Sequence, residues 1–248
     1  MLEHNDIYSE FTEKNYSNLI ELAKENFNFR FFSNSPLNGK ELLLRHDVDF
    51  SPQRARSLAR IESEIQVRAT YFFRLRGADY SILDIEIQRI LQEIADLGHE
   101  IGLHFETDEL DISEDQILVK LSNDKKLFEL ITGRQSKVFS FHNPTQIMLT
   151  MKNTEYSEMV NAYAKIHFDL TNYVSDSNGY WRFRSLKAAL IDPNTEKLQV
   201  LIHPEWWTPE SLSPRARIWR AHIGRANNAH SRYLALLESL GRTDSEKI

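Results

Sequence analysis

The chain has 248 residues, an apolar fraction of 41% and a formal net charge of −6, values typical of a folded domain with a full-sized core. The acidic balance argues against a dedicated nucleic-acid-binding protein, which usually presents a basic face. Cysteine is absent, so disulfides and thiolate chemistry are excluded, and a metal would have to be held by His, Asp or Glu.

The N-terminal residues 1–6 contain neither a basic start nor an apolar run, so we expect no signal peptide. No stretch approaches the ~20 apolar residues of a membrane-spanning helix. We therefore expect a cytoplasmic protein without a transmembrane segment, folded as one domain over residues 1–248.

Short apolar runs and helical periodicities alternate along most of the chain. Strands are predicted at residues 42–49, 69–73, 99–104, 138–142 and 198–203, with further candidates at 164–168 and 171–174. Helices are predicted at about residues 8–27, 52–65, 81–98, 113–133, 159–160 and 214–240. Of the helix starts, Ser51 before Pro52 and Ser81 read as N-caps, and residues 113–116 have the spacing of a capping box.

Strands that alternate with helices indicate a parallel sheet covered by helices. A single (β/α) barrel, irregular in detail, fits this order best. A doubly wound open sheet is the alternative, although no glycine-rich nucleotide-binding loop supports it. Both folds place ligands at the carboxyl ends of the strands.

Polar residues follow the apolar runs at four of these strand ends. Asp47 and Asp49 end the first, and His104, His142 and His203 end later ones. Residues two apart on a strand project to one side, and two carboxylates there repel unless a cation or a shared proton relieves them. A solvated strand end is the plain alternative for the Asp pair, and a structural histidine is the plain alternative for each His taken singly. Carboxylates and imidazoles that converge without thiolates suit a divalent transition metal.

These motifs resemble those of the NodB-like polysaccharide deacetylases, the family 4 carbohydrate esterases, over roughly residues 42–207. The resemblance implies an irregular barrel of about seven strands at residues 40–207, with N- and C-terminal helices packed on it. The Asp47-Val48-Asp49 run is similar to the Asp-x-Asp variant of the family's early motif. It implies that Asp47 is the general base and Asp49 a metal ligand.

The run LGHEIGLH at residues 97–104 is similar to the family's GHEIGxH motif, whose last His, here His104, binds the metal. The family then has a second His four residues later, where this chain has Asp108. Three candidates remain for the third ligand: His142 from the neighbouring strand, and Asp108 or Glu106 on the same turn. The resemblance implies one divalent metal, with zinc favoured.

Later motifs imply further roles. His203 lies in a Leu-x-His run and would be the general acid. His142 stands where the family usually has the Arg that orients the base, and Arg45, His46 or the metal could instead keep Asp47 ionised. Residues expected to contact the substrate, or the partner of the base, are Asp176, Trp181, Arg182 and Trp206; Tyr71 is a further candidate for a flat face against a sugar ring.

The expected function is metal-dependent hydrolysis of an N- or O-acetyl group on a sugar. A cytoplasmic location would suggest a sugar nucleotide or lipid-linked intermediate of surface polysaccharide biosynthesis. The incomplete His motif leaves open a catalytically altered or inactive barrel that acts as a carbohydrate-binding or assembly protein. The C-terminal helix, with Arg215, Arg217, Arg220 and Arg225 beside Trp219 and Ile223, is a candidate contact with a membrane surface or another protein.

Overall fold

The computed structural model describes residues 8–34, 38–109, 111–167 and 172–242. Its strands are β1 (Asn28–Arg30), β2 (Glu41–Val48), β3 (Thr70–Phe73), β4 (Glu100–Phe105), β5 (Val138–Phe141), β6 (Glu155–Tyr156), β7 (Met159–Asn161), β8 (Tyr173–Ser175) and β9 (Lys197–Ile202). Its α-helices are α1 (Glu13–Asn26), α2 (Pro52–Glu64), α3 (Ile85–Asp96), α4 (Glu114–Thr132), α5 (Gln146–Thr150), α6 (Leu186–Ile191) and α7 (Pro214–Ser239).

The strands form one curled sheet in the order β6-β7-β5-β4-β3-β2-β9-β8, with β1 paired to the start of β2. All neighbours are parallel except the β6–β7 pair. Within the described residues the two ends of this order, β6 and β8, do not pair, so the barrel is open on that side. The predicted irregular (β/α) barrel is confirmed. Because the strands are parallel, the carboxyl ends of β2, β4, β5 and β9 lie at one edge.

Strand β2 shows how the sheet separates the core from the site. Leu42 and Leu44 pack with the helices in the main core, whereas Leu43 belongs to a small cluster inside the curl with Phe72 and Val138. This alternation follows from the two-residue period of a strand. Residues 45 and 47 lie on the same face of β2 as Leu43, so the Asp47 side chain points into the curl at the mouth of the barrel.

Close packing inside the curl explains Gly102 on β4. A Cβ added there would lie 2.7 Å from the Phe72 ring and 2.7 Å from Val138 Cγ2. Gly102→Ala is expected to lower the free energy of unfolding by about 1–3 kcal/mol through overpacking. Gly224→Ala is the control, since nothing lies within 4 Å of an added Cβ there. A Gly→Ala change within a helix is expected to raise the free energy of unfolding by about 0.5–1 kcal/mol. Urea denaturation measures both; equal stabilities for the two variants would contradict the packing account.

Two of the three predicted helix N-caps are confirmed and one is wrong. Ser51 Oγ accepts from the backbone N–H of Arg54 at 3.3 Å, and the capping box of Ser113 and Gln116 is formed. Ser81, however, is not the cap of α3; Asp84 is, and it accepts from the N–H of Glu86 at 2.9 Å. Residues 82–83 form a turn before the helix, in which the N–H of Ile82 donates to the carbonyl oxygen of Leu75 and the N–H of Asp84 to that of Ser81, both at 3.1 Å.

Two other predictions were wrong in the stretch after β5. Residues 159–160 form strand β7 rather than a helix, because a tight turn at Ser157 and Glu158, both with positive φ, pairs β6 with β7. The missing Gly or Asn in that turn removed the usual hairpin signal. Residues 164–167 form turns and not a strand, while Phe168 and Thr171 lie outside the described residues. Strand β8 confirms the remaining candidate.

The two terminal helices pack differently. Helix α1 buries Tyr16, Leu19, Ile20 and Ala23. Helix α7 contacts the barrel through Ile218 and the buried Arg217, and farther along through ion pairs of Arg225 and Arg232 with Asp79 and Asp84. None of the described helices is long and apolar enough to cross a membrane.

Most of the arginines in the predicted basic cluster of α7 are buried or form ion pairs within the molecule. Arg217 is buried, Arg220 pairs with Glu210 and Arg225 pairs with Asp79. Trp219, 67% exposed, and Ile223, 41% exposed, do lie on the surface. The proposed membrane contact therefore loses most of its free positive charge, and a contact with another protein stays a proposal.

Candidate active site and metal centre

A pocket of about 730 Å³ opens at the carboxyl edge of the sheet. The residues predicted from the strand ends line it together: Asp47, Asp49, His104, His142 and His203. Four strands or the loops after them supply these side chains, which are distant in sequence. The expected convergence on a single mouth is therefore observed.

The Asp49 carboxylate lies at the centre of this group. Its Oδ1 is 3.1 Å from Nε2 of His104 and 3.8 Å from Nε2 of His142, and its Oδ2 is 3.9 Å from Nε2 of His203. Burial alone would raise the pKa of Asp49, but the hydrogen bond and charge of His104, with His203 and His142, lower it far below its usual value. Asp49 is thus a carboxylate with imidazole nitrogens directed at it.

Ser140 on β5 orients the His104 ring. Its hydroxyl lies 2.6 Å from Nδ1 of His104 and donates to Oδ1 of Asp47 at 3.4 Å. A hydroxyl that donates to a carboxylate is free to accept, so we assign a hydrogen of His104 to Nδ1. Nε2 is the nitrogen that hydrogen-bonds to Asp49 at 3.1 Å, and it would have to give up its hydrogen to bind a metal.

Glu106 and Arg74 orient the His142 ring in the same way. Oε2 of Glu106 lies 3.1 Å from Nδ1 of His142 and accepts from Nη2 of Arg74 at 2.7 Å. A carboxylate can only accept, so Nδ1 of His142 carries the hydrogen. Nε2 then accepts from the Asn143 side-chain amide at 3.1 Å, and a bound cation would have to replace that amide. Carboxylate–histidine pairs of this kind commonly support metal-bound histidines.

The chemistry of the donor atoms, carboxylate oxygen and imidazole nitrogen, is of the kind that a divalent metal prefers. Across the described ranges, however, no three His, Asp or Glu side chains are arranged so that they could hold a metal ion as they stand; the group is held by the hydrogen bonds above. Even so, one carboxylate and two Nε2 atoms converge, and each ring has its other nitrogen engaged. One oxygen and two nitrogen donors are a usual protein set for zinc. Of the alternatives for the third ligand, Asp108 is exposed and Glu106 is engaged by Arg74 and His142.

Arg45 holds the predicted base. Its Nη2 donates to Oδ2 of Asp47 at 2.7 Å, and both side chains are buried. The guanidinium also lies over the Tyr163 ring, 5.0 Å from its centroid. Burial alone would raise the pKa of Asp47, but the charge of Arg45, with those of His104 and His203, lowers it below its usual value. His46 does not share this role, since it faces Glu62 on the other side of the sheet at 2.6 Å.

His203 lies across the pocket and is held by Asp176. Oδ1 of Asp176 accepts from Nδ1 of His203 at 2.7 Å and from its backbone N–H at 2.9 Å, and Oδ2 accepts from the Trp207 indole. Burial would lower the pKa of His203, but the hydrogen bond and charge of Asp176, with the charge of Asp49, raise it to about 10. His203 is therefore protonated at neutral pH, as a general acid must be.

The Asp176–His203 pair makes a prediction about pH. Asp176→Asn removes the charge that raises the pKa of His203, so this pKa is expected to fall below 10, toward its ordinary value. At pH 8 the His203 ring would then lose its proton. The reaction rate is expected to fall by about 10²-fold, the low end of the usual contribution of acid–base catalysis. An NMR titration of the His203 ring measures the pKa directly, and an unchanged value would contradict the assigned role of Asp176.

The four residues expected to bind substrate divide into two groups. Trp206 and Arg182 line the pocket. Asp176 is fully buried and positions His203 rather than touching a substrate. Trp181 is not among the lining residues; its indole donates to Glu10 at 2.6 Å and it packs on Phe11. The sequence does not show which way the ring of an aromatic residue near a motif points. The Trp181 ring packs against the core instead of facing the pocket.

Tyr71 is likewise not a sugar-binding residue. It is fully buried behind the sheet, where its hydroxyl donates to Glu62 at 2.8 Å and its ring stacks on His46. The two-residue period explains this, because Tyr71 is the register partner of His46 and not of Asp47. The same period could have favoured Arg45 over His46 as the partner of Asp47, since Arg45 precedes Asp47 by two residues. It could also have found Ser140, which was not selected and which precedes His142 by two residues.

The chain was compared with known proteins as an open, mostly parallel α/β barrel with Asp and His residues at its strand ends. No protein-family model matches the chain, and no curated protein does. Solved structures match it at low identity, and they include a CE4 family pseudoenzyme from Bacillus anthracis, with 18% identity, a TM-score of 0.48, and coverage of 77% of this chain and 62% of that one. This chain thus spans less than two thirds of that protein's length.

Two further matches have printed activities. A peptidoglycan deacetylase from Bacillus subtilis has 14% identity, a TM-score of 0.45, and coverage of 82% of this chain and 96% of that one. A family 4 acetyl xylan esterase from Clostridium thermocellum, in complex with a cobalt ion, has 18% identity, a TM-score of 0.40, and coverage of 74% and 84%. The pseudoenzyme and the esterase are members of the family that the motifs resemble. Their low identities and TM-scores assign no activity to this chain.

Proposed function

We propose that the chain is a metal-dependent hydrolase that removes an N- or O-acetyl group from a sugar. The observation that carries this proposal is the arrangement in one pocket of Asp49, His104 and His142 next to a buried, ionised Asp47 and opposite a protonated His203. Acyl hydrolysis needs a base, an acid and a group that stabilises a developing oxyanion, and these positions supply the first two and a site for the third.

The roles follow from the contacts of each side chain. Asp49, His104 and His142 would hold the metal, with zinc favoured by the donor set. When bound, such a metal polarises the acyl carbonyl and lowers the pKa of water to about 7. Asp47, fixed by Arg45, accepts the proton of the attacking water. His203, fixed by Asp176, donates its proton to the leaving amine or alkoxide.

The pocket suggests where the sugar binds. A cavity of about 730 Å³ has room for one or two sugar rings, since ligand pockets commonly measure ~300–1,000 Å³. Trp206 contributes an aromatic wall, and its buried indole N–H has no partner among the described residues. Arg182 contributes an exposed positive charge at the rim. Arg182 would contact the phosphate of a sugar nucleotide or lipid-linked intermediate of surface polysaccharide biosynthesis, the substrate class that we propose on the expectation of a cytoplasmic location.

The experiment is an assay of acetate release by the purified chain, loaded in turn with zinc, cobalt, nickel and manganese. Substrates are acetylated amino sugars, their nucleotide derivatives and O-acetylated sugars. We expect release from at least one of them, with loss on chelation and recovery on adding metal back. Release that persists after complete chelation would refute metal dependence, and the absence of release from every substrate with every metal would refute the hydrolase.

An altered or inactive carbohydrate-binding barrel is the second candidate function. The observation that favours it is Asp108, which takes the place of the family's second His and is exposed instead of facing Asp49. Metal analysis separates the two candidates. A protein that purifies without metal and takes up none from zinc solutions would be a binding protein, whereas one equivalent of bound zinc supports the hydrolase.

A further inference from the structure

A second cavity, of about 220 Å³, lies between helices α2 and α7. Four arginines are among the residues that line it: Arg54, Arg217, Arg220 and Arg225. Three of them have carboxylate partners, which are Glu13, Glu210 and Asp79. The two acidic residues in its wall are Glu86, which accepts from Asn228, and Glu205.

Arg217 is the exception among these arginines. It is 1% exposed, its Nη2 donates to the carbonyl oxygens of Tyr8 and Phe11, and its Nη1 has no partner among the described residues. Within those residues no carboxylate forms an ion pair with it. Burial lowers its pKa to about 10, so the guanidinium still carries its charge at neutral pH. A buried charge without a counterion is costly, and an anion in the cavity would remove that cost.

Other polar groups of the cavity also lack partners. Nη1 of Arg225 and both carboxyl oxygens of Glu205 are buried and make no hydrogen bond to any described residue. Burial, followed by the negative charge of Asp49, raises the pKa of Glu205 well above its usual value, which favours the uncharged form of this carboxyl. The first turn of α2, with Ser51 and Gln53, completes the wall and adds the positive end of a helix dipole.

We propose that the α2–α7 cavity binds a phosphate group. Guanidinium groups recognise phosphate through paired charge-assisted hydrogen bonds, and here two of them, on Arg217 and Arg225, have an uncommitted nitrogen in one small cavity. Glu205 also lines the active-site pocket, so the phosphate site and the active site share a wall. The site is distinct from the acetyl-hydrolysing group and does not depend on the proposed hydrolase.

The test is isothermal titration of the full chain with inorganic phosphate at pH 7 in a buffer of low chloride. We expect saturable binding with one site per chain. Arg225→Gln removes one charge-assisted hydrogen bond to the phosphate and is expected to weaken binding about tenfold or more. Arg60→Gln is the matched control, because it breaks one surface ion pair, with Glu93, and lowers the net charge equally.

Two results would overturn the phosphate site. One is the absence of saturable heat at millimolar phosphate, and the other is equal affinity in Arg225→Gln and the parent chain. Arg217→Gln is a second variant that is expected to weaken binding as well, with circular dichroism as a check on folding; equal affinity in this variant and the parent chain would likewise overturn the site. A sugar 1-phosphate that binds more tightly than inorganic phosphate would identify the ligand as a phosphorylated molecule, and equal affinities would identify free phosphate; in both cases the cavity is the site.

Discussion

Asp47→Asn is expected to lower the rate of acetate release by about 10²–10⁴-fold, the usual contribution of a general base. The amide cannot accept the proton of the attacking water, while Asp49, His104 and His142 are unaltered. Zinc content should therefore stay at its parent value. Asp96→Asn is the control, since it changes an exposed carboxylate that pairs with Arg134 on the surface.

Removal of the Asp47 charge also leaves Arg45 buried without its carboxylate, which can cost about 3–5 kcal/mol. The double variant Arg45→Met with Asp47→Asn avoids that cost by removing both charges. Activity in Asp47→Asn equal to that in Asp96→Asn would show that Asp47 is not the base. If Asp47→Asn does not fold, the double variant gives the same readout.

The second large effect concerns the metal centre. His142→Ala is expected to lower zinc affinity strongly, because it removes one of three donors. Glu106→Gln keeps all three and only weakens the support of the His142 ring, so a loss of about 10–100-fold is expected. Asp108→Asn is the matched control and should bind zinc as the parent does, since Asp108 is exposed outside the pocket.

Zinc affinities from competition with a chromogenic chelator rank the three variants. The order expected is Asp108→Asn strongest, then Glu106→Gln, then His142→Ala. A zinc affinity that falls in Asp108→Asn and not in His142→Ala would place the third ligand at the family's usual position and refute the assignment to His142.

The strand ends could be predicted from the sequence because two local rules combine there. Apolar runs mark the strands, and a polar Asp or His just after a run marks the functional edge. Those rules placed Asp47, Asp49, His104, His142 and His203 in one pocket. The two-residue period of a strand also predicts that Asp47 and His46 point to opposite faces of the sheet. Only the structure shows that His46 faces Glu62.

The choice among His142, Glu106 and Asp108 could not be predicted, because it depends on contacts between chain segments. Arg74, just past β3, draws Glu106 away from Asp49, and Glu106 then turns the His142 ring. Trp181 was misassigned for a related reason, since its orientation depends on Glu10 from the distant N-terminal segment. Side chains held by remote segments carry no local sequence signal.

The most direct test of the metal centre is anomalous X-ray scattering from crystals of the zinc-loaded chain. The account predicts one zinc ion, bound by the carboxylate of Asp49 and by Nε2 of His104 and His142, with Glu106 hydrogen-bonded to His142 and not to the metal. A zinc ion bound by Asp108 or Glu106 in place of His142, or no zinc ion beside Asp49, would contradict it.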